Sequence, residues 1–326
     1  MVSRRSFIGG TLALFSGVLA AQDKKPARVF RIGVLDPLPL SSNAANMEQL
    51  RKGLRDAGYV EGQTFAIEYR TSEGGAGRYQ RIAGELAQLP VDVLVARGTP
   101  AALNARNATK EIPIVALGVT DPVETGLVAS LERPGANVTG IALIIKDLEA
   151  RRVDVLRALA PKTRRIGALM NLGNPALAHA WKIVEEAARG FKLEAFVVDV
   201  RKPAQVAAAF DAAKAQNADS IMVQIGALDL AERQRVVELA AQHRLPAMYT
   251  SRQYVDAGGL VSYGVDAPQL FYRAATFIDK VLKGAKPAEL AMERASKFEL
   301  IINRKTLRSL DLVIPPDLLL RSNEIV

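Results

Sequence analysis

Cysteine is absent from this chain of 326 residues. Disulfides, thiolate metal sites and cysteine nucleophiles are therefore excluded, and no lipid-modified cysteine can anchor the mature N-terminus. Histidine is scarce, since the chain has two, His179 and His243, each within a predicted helix. We interpret both as structural or surface residues, because neither belongs to a catalytic or metal-binding pattern, and we expect no metal site.

Phosphate-binding motifs are missing as well. Gly33 and the turn after it do not form G-x-G-x-x-G, and G-x-x-x-x-G-K-[ST] does not occur. These absences argue against an enzyme of dinucleotides or nucleoside triphosphates, and we expect no cofactor. No G-x-S-x-G nucleophile motif is present. Asp121 and Glu124 could imitate a general acid and base, but a helix cap and a first-turn acid explain them more simply.

Aromatic residues make up 6% of the chain, whereas 49% of it is hydrophobic. An aliphatic composition of this length suits parallel sheets covered by helices and allows more than one domain. The formal net charge is +9. Because the basic residues are scattered along helical stretches, we interpret them as a solvated surface and expect no nucleic-acid partner.

Residues 1–21 are typical of a twin-arginine signal peptide. The pattern Ser3-Arg4-Arg5-Ser6-Phe7-Ile8 precedes an apolar run over 11–19, which ends in small residues at 20 and 21. That run is far shorter than the ~20 residues needed to span a bilayer. We therefore expect export to the bacterial periplasm as a soluble protein without a lipid anchor.

Two stretches of about a hundred residues share one plan. Their matching strand-like runs are 31–35, 91–96 and 113–117 in the first stretch, and 165–169, 218–223 and 246–249 in the second. Helical patterns separate these runs at a spacing typical of βαβ units. The predicted fold class is therefore α/β, with two Rossmann-like, doubly wound lobes that face each other across a cleft.

The loops that follow the strands are the candidate binding site, because small molecules bind beyond the carboxyl ends of parallel strands. Glycines there allow close backbone approach, while hydroxyls and helix N-termini suit a carboxylate or other anion. The predicted ligand-binding residues are Pro37, Leu38, Arg97, Gly98, Thr99, Thr120, Asp121, Asn171, Asn174, Gly226, Tyr249, Ser251 and Tyr263. Each residue can also be an ordinary cap or turn residue, and that alternative stays open.

Local capping signals add two expectations. Thr99 and Pro100 resemble the N-cap and first residue of a helix, and Thr120-Asp121-Pro122 resembles a cap before a helix over 123–131. Corresponding loops place Arg97 and Thr120 opposite Gly226 and Tyr249. We therefore expect an asymmetric cleft with one polar wall and one partly aromatic wall.

Three segments resemble the ABC-transporter substrate-binding protein family: the DPVETGLVASL and PGANVTG strings within 120–140, GGLVSYG at 258–264 and KFELIIN at 297–303. The resemblance covers nearly the whole mature chain and implies the fold of type I periplasmic binding proteins. It implies two lobes joined by three crossovers, closing on a small solute for delivery to an inner-membrane permease with an attached ATPase. Some members are similar to tryptophan-binding proteins, so amino acids or aromatic acids are the expected ligands.

This chain departs from the family pattern at Arg97, where small residues are usual, and at 226–228, where Gly-Ala-Leu replaces a more polar stretch. Arg97 is either a bidentate carboxylate partner inside the closed cleft or a surface arginine. We assign residues 28–142 with about 266–296 to lobe I, and residues 143–265 with about 297–326 to lobe II.

The expected function is that of a monomeric periplasmic solute-binding protein of an ABC importer, which takes a carboxylate- or amino-acid-like ligand by hinge closure. The first alternative is an exported periplasmic enzyme on the same fold, suggested by the twin-arginine pattern. The second alternative is a sugar-repressor-like regulator. It would need a DNA-binding module before Val29, where the export signal lies.

Overall fold

The computed structural model describes residues 28–73 and 77–326, apart from the side chains of 227–231. The predicted signal peptide, residues 1–21, lies outside the described residues. Within these described ranges the chain forms two sheets with helices on both faces of each, which confirms the predicted α/β class. No helix in the same ranges is both long enough and apolar enough to cross a membrane.

Lobe I is our name for the first sheet and the helices packed on it. Its strands run in the order β2 (Phe65–Thr71), β1 (Phe30–Asp36), β3 (Val93–Arg97), β4 (Ile114–Thr120), β5 (Val138–Leu143) and β11 (Glu293–Arg294). All neighbouring strands are parallel. One face is covered by α1 (Leu40–Asp56) and α9 (Ala267–Leu282), the other by α2 (Arg78–Gln88) and α3 (Thr99–Ala108).

Lobe II is the second sheet with its helices. Its strands run in the order β7 (Glu194–Asp199), β6 (Arg165–Met170), β8 (Ser220–Gln224), β9 (Ala247–Tyr249), β10 (Val261–Val265), β12 (Phe298–Ile302) and β13 (Glu324–Ile325). The β10–β12 pair is antiparallel and the others are parallel. One face carries α4 (Ile145–Leu159), α5 (Pro175–Gly190), α10 (Arg304–Ser309) and α11 (Pro316–Arg321), and the other α6 (Val206–Ala215), α7 (Ala227–Gln242) and α8 (Arg252–Asp256).

The two sheets repeat one strand order. The order β2-β1-β3-β4-β5 in lobe I corresponds to β7-β6-β8-β9-β10 in lobe II, which confirms the duplicated plan of the sequence. The strand order reverses beside β1 and beside β6, because β1 lies between β2 and β3, and β6 lies between β7 and β8. Loops diverge at such points and leave room for a ligand beyond the carboxyl ends of the strands.

The chain passes between the sheets three times: after β5, after β10 and after β11. The first passage enters α4, which packs in the core of lobe II. The second enters α9, whose Phe271 and Ile278 pack with Met47 and Leu50 of α1 in the core of lobe I. Apolar residues spaced by three and four positions on both helices form these contacting faces.

A glycine at the second passage permits a close backbone approach. A Cβ placed on Gly264 of β10 would lie 1.9 Å from the carbonyl oxygen of Thr250. Any side chain here would displace either the strand or the loop after β9. Gly264 therefore fixes the position of a loop that reaches the cleft between the lobes.

The predicted helix over 123–131 is wrong, because the segment forms a series of turns. Gly126 has φ +68°, a left-handed conformation that interrupts a helix. The Leu127 N–H donates to the carbonyl of Pro122, and Arg106 donates to the carbonyls of Gly126 and Leu127. The Arg106 side chain thus caps two backbone carbonyls where the turns end.

Candidate functional site

A cavity of about 750 Å³ lies between the two lobes at the carboxyl ends of their strands. Its volume falls within the ~300–1,000 Å³ typical of small-molecule sites. The loops after β1 and β3 and the end of β4 line it from lobe I, and the loops after β8 and β9 line it from lobe II. The cavity is therefore where the strand order predicts a ligand site.

Six of the predicted ligand-binding residues line this cavity: Pro37, Arg97, Gly98, Thr120, Gly226 and Ser251. The other seven are not among its lining residues: Leu38, Thr99, Asp121, Asn171, Asn174, Tyr249 and Tyr263. The structure therefore brings together the residues at the ends of β3 and β4 with those after β8 and β9. Which of them contact a ligand stays a prediction.

Tyr249 does not provide the aromatic wall that the sequence predicts. Its side chain is fully buried in the core of lobe II and stacks on Tyr254, with the ring centroids 4.5 Å apart. Among the described lining residues, the aromatic side chain is Phe271 of α9, in lobe I. The sequence predicted a polar wall from lobe I and a partly aromatic wall from lobe II. The structure shows the reverse, because lobe II supplies most of the charged lining residues described.

Four of the seven residues outside the lining support local structure. Thr99 is the first residue of α3 and not its cap, and its Oγ1 accepts a hydrogen bond from the Thr120 N–H at 3.1 Å. Asn174 caps α5, and Asn171 closes the preceding turn, each through its Oδ1 and a backbone N–H at 3.1 Å. Leu38 is buried below the loop after β1. These residues hold the loops in place.

Asp121 and Tyr263 lie where the two lobes meet. Asp121 Oδ2 of lobe I is 3.3 Å from His179 Nε2 of α5 in lobe II. Burial raises the pKa of Asp121, whereas a hydrogen bond from the Ile145 N–H and the nearby His179 lower it. The carbonyl of Tyr263 accepts a hydrogen bond from Arg152 Nε at 2.8 Å. Both residues act at the junction of the lobes and do not line the cavity.

The lobe I wall carries one arginine, Arg97, at the end of β3. Its Nη1 is 3.2 Å from Asn43 Oδ1 and 3.5 Å from Oδ1 of the fully buried Asp36. Its guanidinium carbon lies 5.5 Å from the centroid of the Phe271 ring. Within the described chain, no acceptor contacts Nε or Nη2 of Arg97. These donors stay available, so Arg97 is well suited to an anion.

The lobe II wall contains a buried polar network that the sequence did not single out. Arg152 Nη1 donates to Glu149 Oε1 at 2.6 Å, and Gln224 Nε2 donates to Glu149 Oε2 at 2.6 Å. All three residues are buried and line the cavity. Gln224 ends β8, a position that the strand-end rule favours. The i,i+3 spacing of Glu149 and Arg152 gave no such signal, because it is also typical of helix surfaces.

The remaining surface of the cavity is largely apolar. Its apolar lining residues in lobe I include Leu117, Leu143, Leu270 and Phe271, and α4 adds Leu148. An apolar surface with a few fixed polar groups is typical of sites for small organic molecules. This arrangement suits a ligand with a hydrophobic body and at least one charged end.

Comparisons with known proteins agree with this geometry. A family model described as ABC transporter substrate binding protein matches residues 31–326. A tyrosine-binding protein of Clostridioides difficile (strain R20291) is 29% identical over 261 residues, which cover 80% of this chain and 75% of that protein.

Two solved structures share the fold. A conserved domain protein of Vibrio cholerae O1 biovar El Tor N16961 has a TM-score of 0.86 and 28% identity, covering 92% of this chain and all of that one. An ABC domain from Streptococcus pneumoniae in complex with L-Trp has a TM-score of 0.85 and 27% identity, covering 91% of this chain and all of that one. The Clostridioides difficile relative is thus a tyrosine-binding protein, and the Streptococcus pneumoniae structure contains L-Trp.

Proposed function

Because this chain belongs to the ABC transporter substrate-binding protein family, we propose that it is the solute receptor of an ABC importer and binds an aromatic amino-acid-like ligand. The observation that carries this proposal is the cavity between the lobes, where Arg97 presents unused donors beside an apolar surface. The names of the tyrosine-binding and L-Trp-bound relatives support the ligand class.

Arg97 is the arginine of the cavity that we propose binds the ligand carboxylate. Arg152 already bonds Glu149 and the carbonyl of Tyr263, and Arg252 already bonds both carboxylate oxygens of Glu324. Arg97 instead keeps Nε and Nη2 free among the described residues. The N-terminus of α3 begins beside it at Gly98 and favours the same negative charge.

Binding works by hinge closure in this proposal. We take residues 28–142 with about 266–296 as one rigid lobe and residues 143–265 with about 297–326 as the other, joined by the three passages. A ligand that contacts both walls stabilises the closed state by its differential affinity. Moving the population from mostly open to mostly closed takes ~5.5 kcal/mol, and a micromolar ligand provides ~8 kcal/mol.

The proposed partners follow from the family and the N-terminal pattern. The twin-arginine pattern at 3–8 supports delivery to the periplasm, where the closed protein meets an inner-membrane permease as a monomer. No nucleic-acid partner is proposed. The matching family is one of substrate binding proteins and the Clostridioides difficile relative is a tyrosine-binding protein, which favours this proposal over the alternative of an exported enzyme.

Isothermal titration tests the proposal. Protein without residues 1–21 is titrated with L-tyrosine, L-tryptophan and L-phenylalanine, and with sugars and polyols as the contrasting set. Arg97→Met is expected to weaken amino-acid binding by about ten- to a hundredfold, which corresponds to losing a charged hydrogen bond. Arg189→Met, at a side chain that is 76% exposed on α5, is the matched control. Wild-type protein that binds sugars and no amino acid would overturn the proposal.

A further inference from the structure

Among the described side chains, lobe II contributes three carboxylates to the cavity wall, those of Glu149, Asp256 and Glu299. They differ in how many hydrogen bonds and ion pairs they form within the protein. Each carboxylate oxygen of Glu149 accepts a hydrogen bond of 2.6 Å, one from Arg152 and the other from Gln224. Asp256 lies at the rim with its side chain 51% exposed, and Arg252 Nε is 3.4 Å from its Oδ1. Neither carboxylate lacks a partner.

Glu299 is different. It is half-buried near the start of β12, opposite Gly264 of β10. No residue of the described chain donates a hydrogen bond to its carboxylate. Burial raises the pKa of Glu299, and the negative charges of Asp266 and Glu324 raise it further. The ionised side chain therefore lines the cavity without the hydrogen-bond donor that a half-buried charge requires.

The neighbouring cation does not supply that compensation. Arg252 donates from Nη1 and Nη2 to the two oxygens of Glu324, at 2.6 and 3.1 Å, and its Nε faces Asp256. Its charge lowers the pKa of Glu299 but is outweighed by burial and Asp266. The three carboxylates of Asp256, Glu299 and Glu324 outnumber the single guanidinium, that of Arg252, that interacts with them. This corner of the lobe II wall thus carries net negative charge.

We infer that Glu299 binds the ammonium group of the ligand, while Arg97 binds its carboxylate from the opposite lobe. This inference rests on the proposed function and adds the orientation of the ligand. The two charges of an amino acid are then divided between the lobes. Each charge meets its partner only when the cleft is closed, so a zwitterion stabilises closure more than a ligand with one charge.

Selectivity for an amine follows from the same geometry. A ligand without an ammonium group would bury Glu299 in the closed cleft with no cationic partner. Leaving a charged group unpaired in this way costs more than a hydrogen bond contributes. We therefore expect L-tyrosine to bind far more tightly than desaminotyrosine, which keeps the ring and carboxylate but lacks the amine.

The experiment compares these two probes in wild-type protein and in Glu299→Gln by isothermal titration. The wild type is expected to prefer L-tyrosine by at least about tenfold, as expected for one charge-assisted hydrogen bond. In E299Q this preference should fall to about onefold, and the affinity for desaminotyrosine should be unchanged or higher, because the substitution removes the unpaired charge. Glu194→Gln, at a side chain that is 76% exposed on β7, is the charge-matched control and should keep the wild-type preference.

A merely structural role of Glu299 gives a different result. Removing a half-buried carboxylate without a partner should leave the melting temperature of ligand-free E299Q equal to or above that of the wild type. A lower melting temperature with an unchanged preference for L-tyrosine would overturn the inference. If E299Q does not fold, the affinities for L-tyrosine and desaminotyrosine are compared in Glu299→Met instead. A preference for L-tyrosine as large as that of the wild type in that variant would also overturn the inference.

The outcomes separate this inference from the proposed function. A wild-type preference retained in E299Q overturns the role of Glu299 and leaves amino-acid binding intact. Loss of the preference in Glu149→Gln, with E299Q unaffected, would move the ammonium site to the buried network. Failure of the wild type to bind L-tyrosine, L-tryptophan and L-phenylalanine would instead overturn the proposed function itself.

Discussion

Arg97 Nη1 lies 3.5 Å from Oδ1 of Asp36, a carboxylate that is fully buried at the end of β1. Burial raises the pKa of Asp36, and the positive charge of Arg97 is the largest influence that lowers it. The Leu38 N–H and the Asn43 side-chain amide add hydrogen bonds of 2.8 and 2.9 Å. Arg97 therefore has two roles, because it neutralises a buried acid and presents its remaining donors to the cavity.

Arg97→Met should destabilise the protein in a pH-dependent manner. The pKa of Asp36 already lies above its ordinary value of 3.8 and rises further once Arg97 is removed. A carboxyl group whose pKa is higher in the folded than in the unfolded state stabilises the protein fully below its unfolded-state pKa, and this contribution is lost as the pH rises through the folded-state pKa. The loss of unfolding free energy in Arg97→Met should therefore be small near the unfolded-state pKa of Asp36. It should grow towards neutral pH by about 1.4 kcal/mol for each unit by which the substitution raises the folded-state pKa.

Urea denaturation at a series of pH values measures this deficit. Asp36→Asn combined with Arg97→Met is the control, and its free energy of unfolding should lose the pH-dependent part. A deficit of the single variant that stays constant from acidic to neutral pH would contradict the assignment.

Arg152→Met should be strongly destabilising. It leaves Glu149, whose side chain is 2% exposed, with one neutral donor, Gln224. Removing one partner of a buried ion pair typically costs ~3–5 kcal/mol. Arg189→Met, at an exposed pair on α5, should cost less than about 1 kcal/mol. Equal melting temperatures of the two variants would show that the buried network contributes little to stability.

Gly264→Ala should reduce both stability and ligand affinity. The new Cβ would lie 1.9 Å from the Thr250 carbonyl oxygen, so the loop after β9 must move, and Thr250 and Ser251 of that loop line the cavity. Overpacking of this kind costs ~1–3 kcal/mol. Gly84→Ala in α2 has no neighbour within 4 Å of its Cβ and should be neutral or stabilising. Thermal melts and titrations with L-tyrosine measure both effects.

The affinity for L-tyrosine should fall at acidic pH. Burial raises the pKa of Glu299 above 4.5, and only its ionised form attracts an ammonium group. As pH falls through that raised pKa, the affinity should decrease by about tenfold for each further unit, with proton release on binding inside this window. Titration in buffers of different ionisation enthalpy measures the released protons. In Glu299→Gln the steep acidic decrease should be absent, and its persistence there would assign the titration to another group.

Much of the fold follows from local sequence signals. The predicted strand-like run at 31–35 lies within β1, and the run at 165–169 lies within β6. Alternation of such runs with helical patterns at βαβ spacing is a strong signal of a doubly wound sheet. The turn segment at 123–131 was missed because Gly126 adopts φ +68°, and backbone conformation at a glycine depends on tertiary hydrogen bonds.

The candidate site was harder to predict than the fold. Loop position identified Arg97 and Ser251, but it also selected Tyr249, which points into a core packed on both sides of its sheet. Glu149 and Glu299 gave no sequence signal. One lies on a helix and the other in a strand added to the sheet by the last passage. Only the tertiary arrangement brings them to the same cavity.

The three passages between the sheets constrain how the molecule can move. Any movement of one lobe relative to the other must be absorbed by backbone rotations in all three passages. In the proposed closure, Arg97 and Glu299 therefore approach each other under the constraint of three covalent connections. The same threading has a covalent consequence. A protease that cuts a single passage leaves the lobes tethered by two others, so a nicked chain should still close on its ligand.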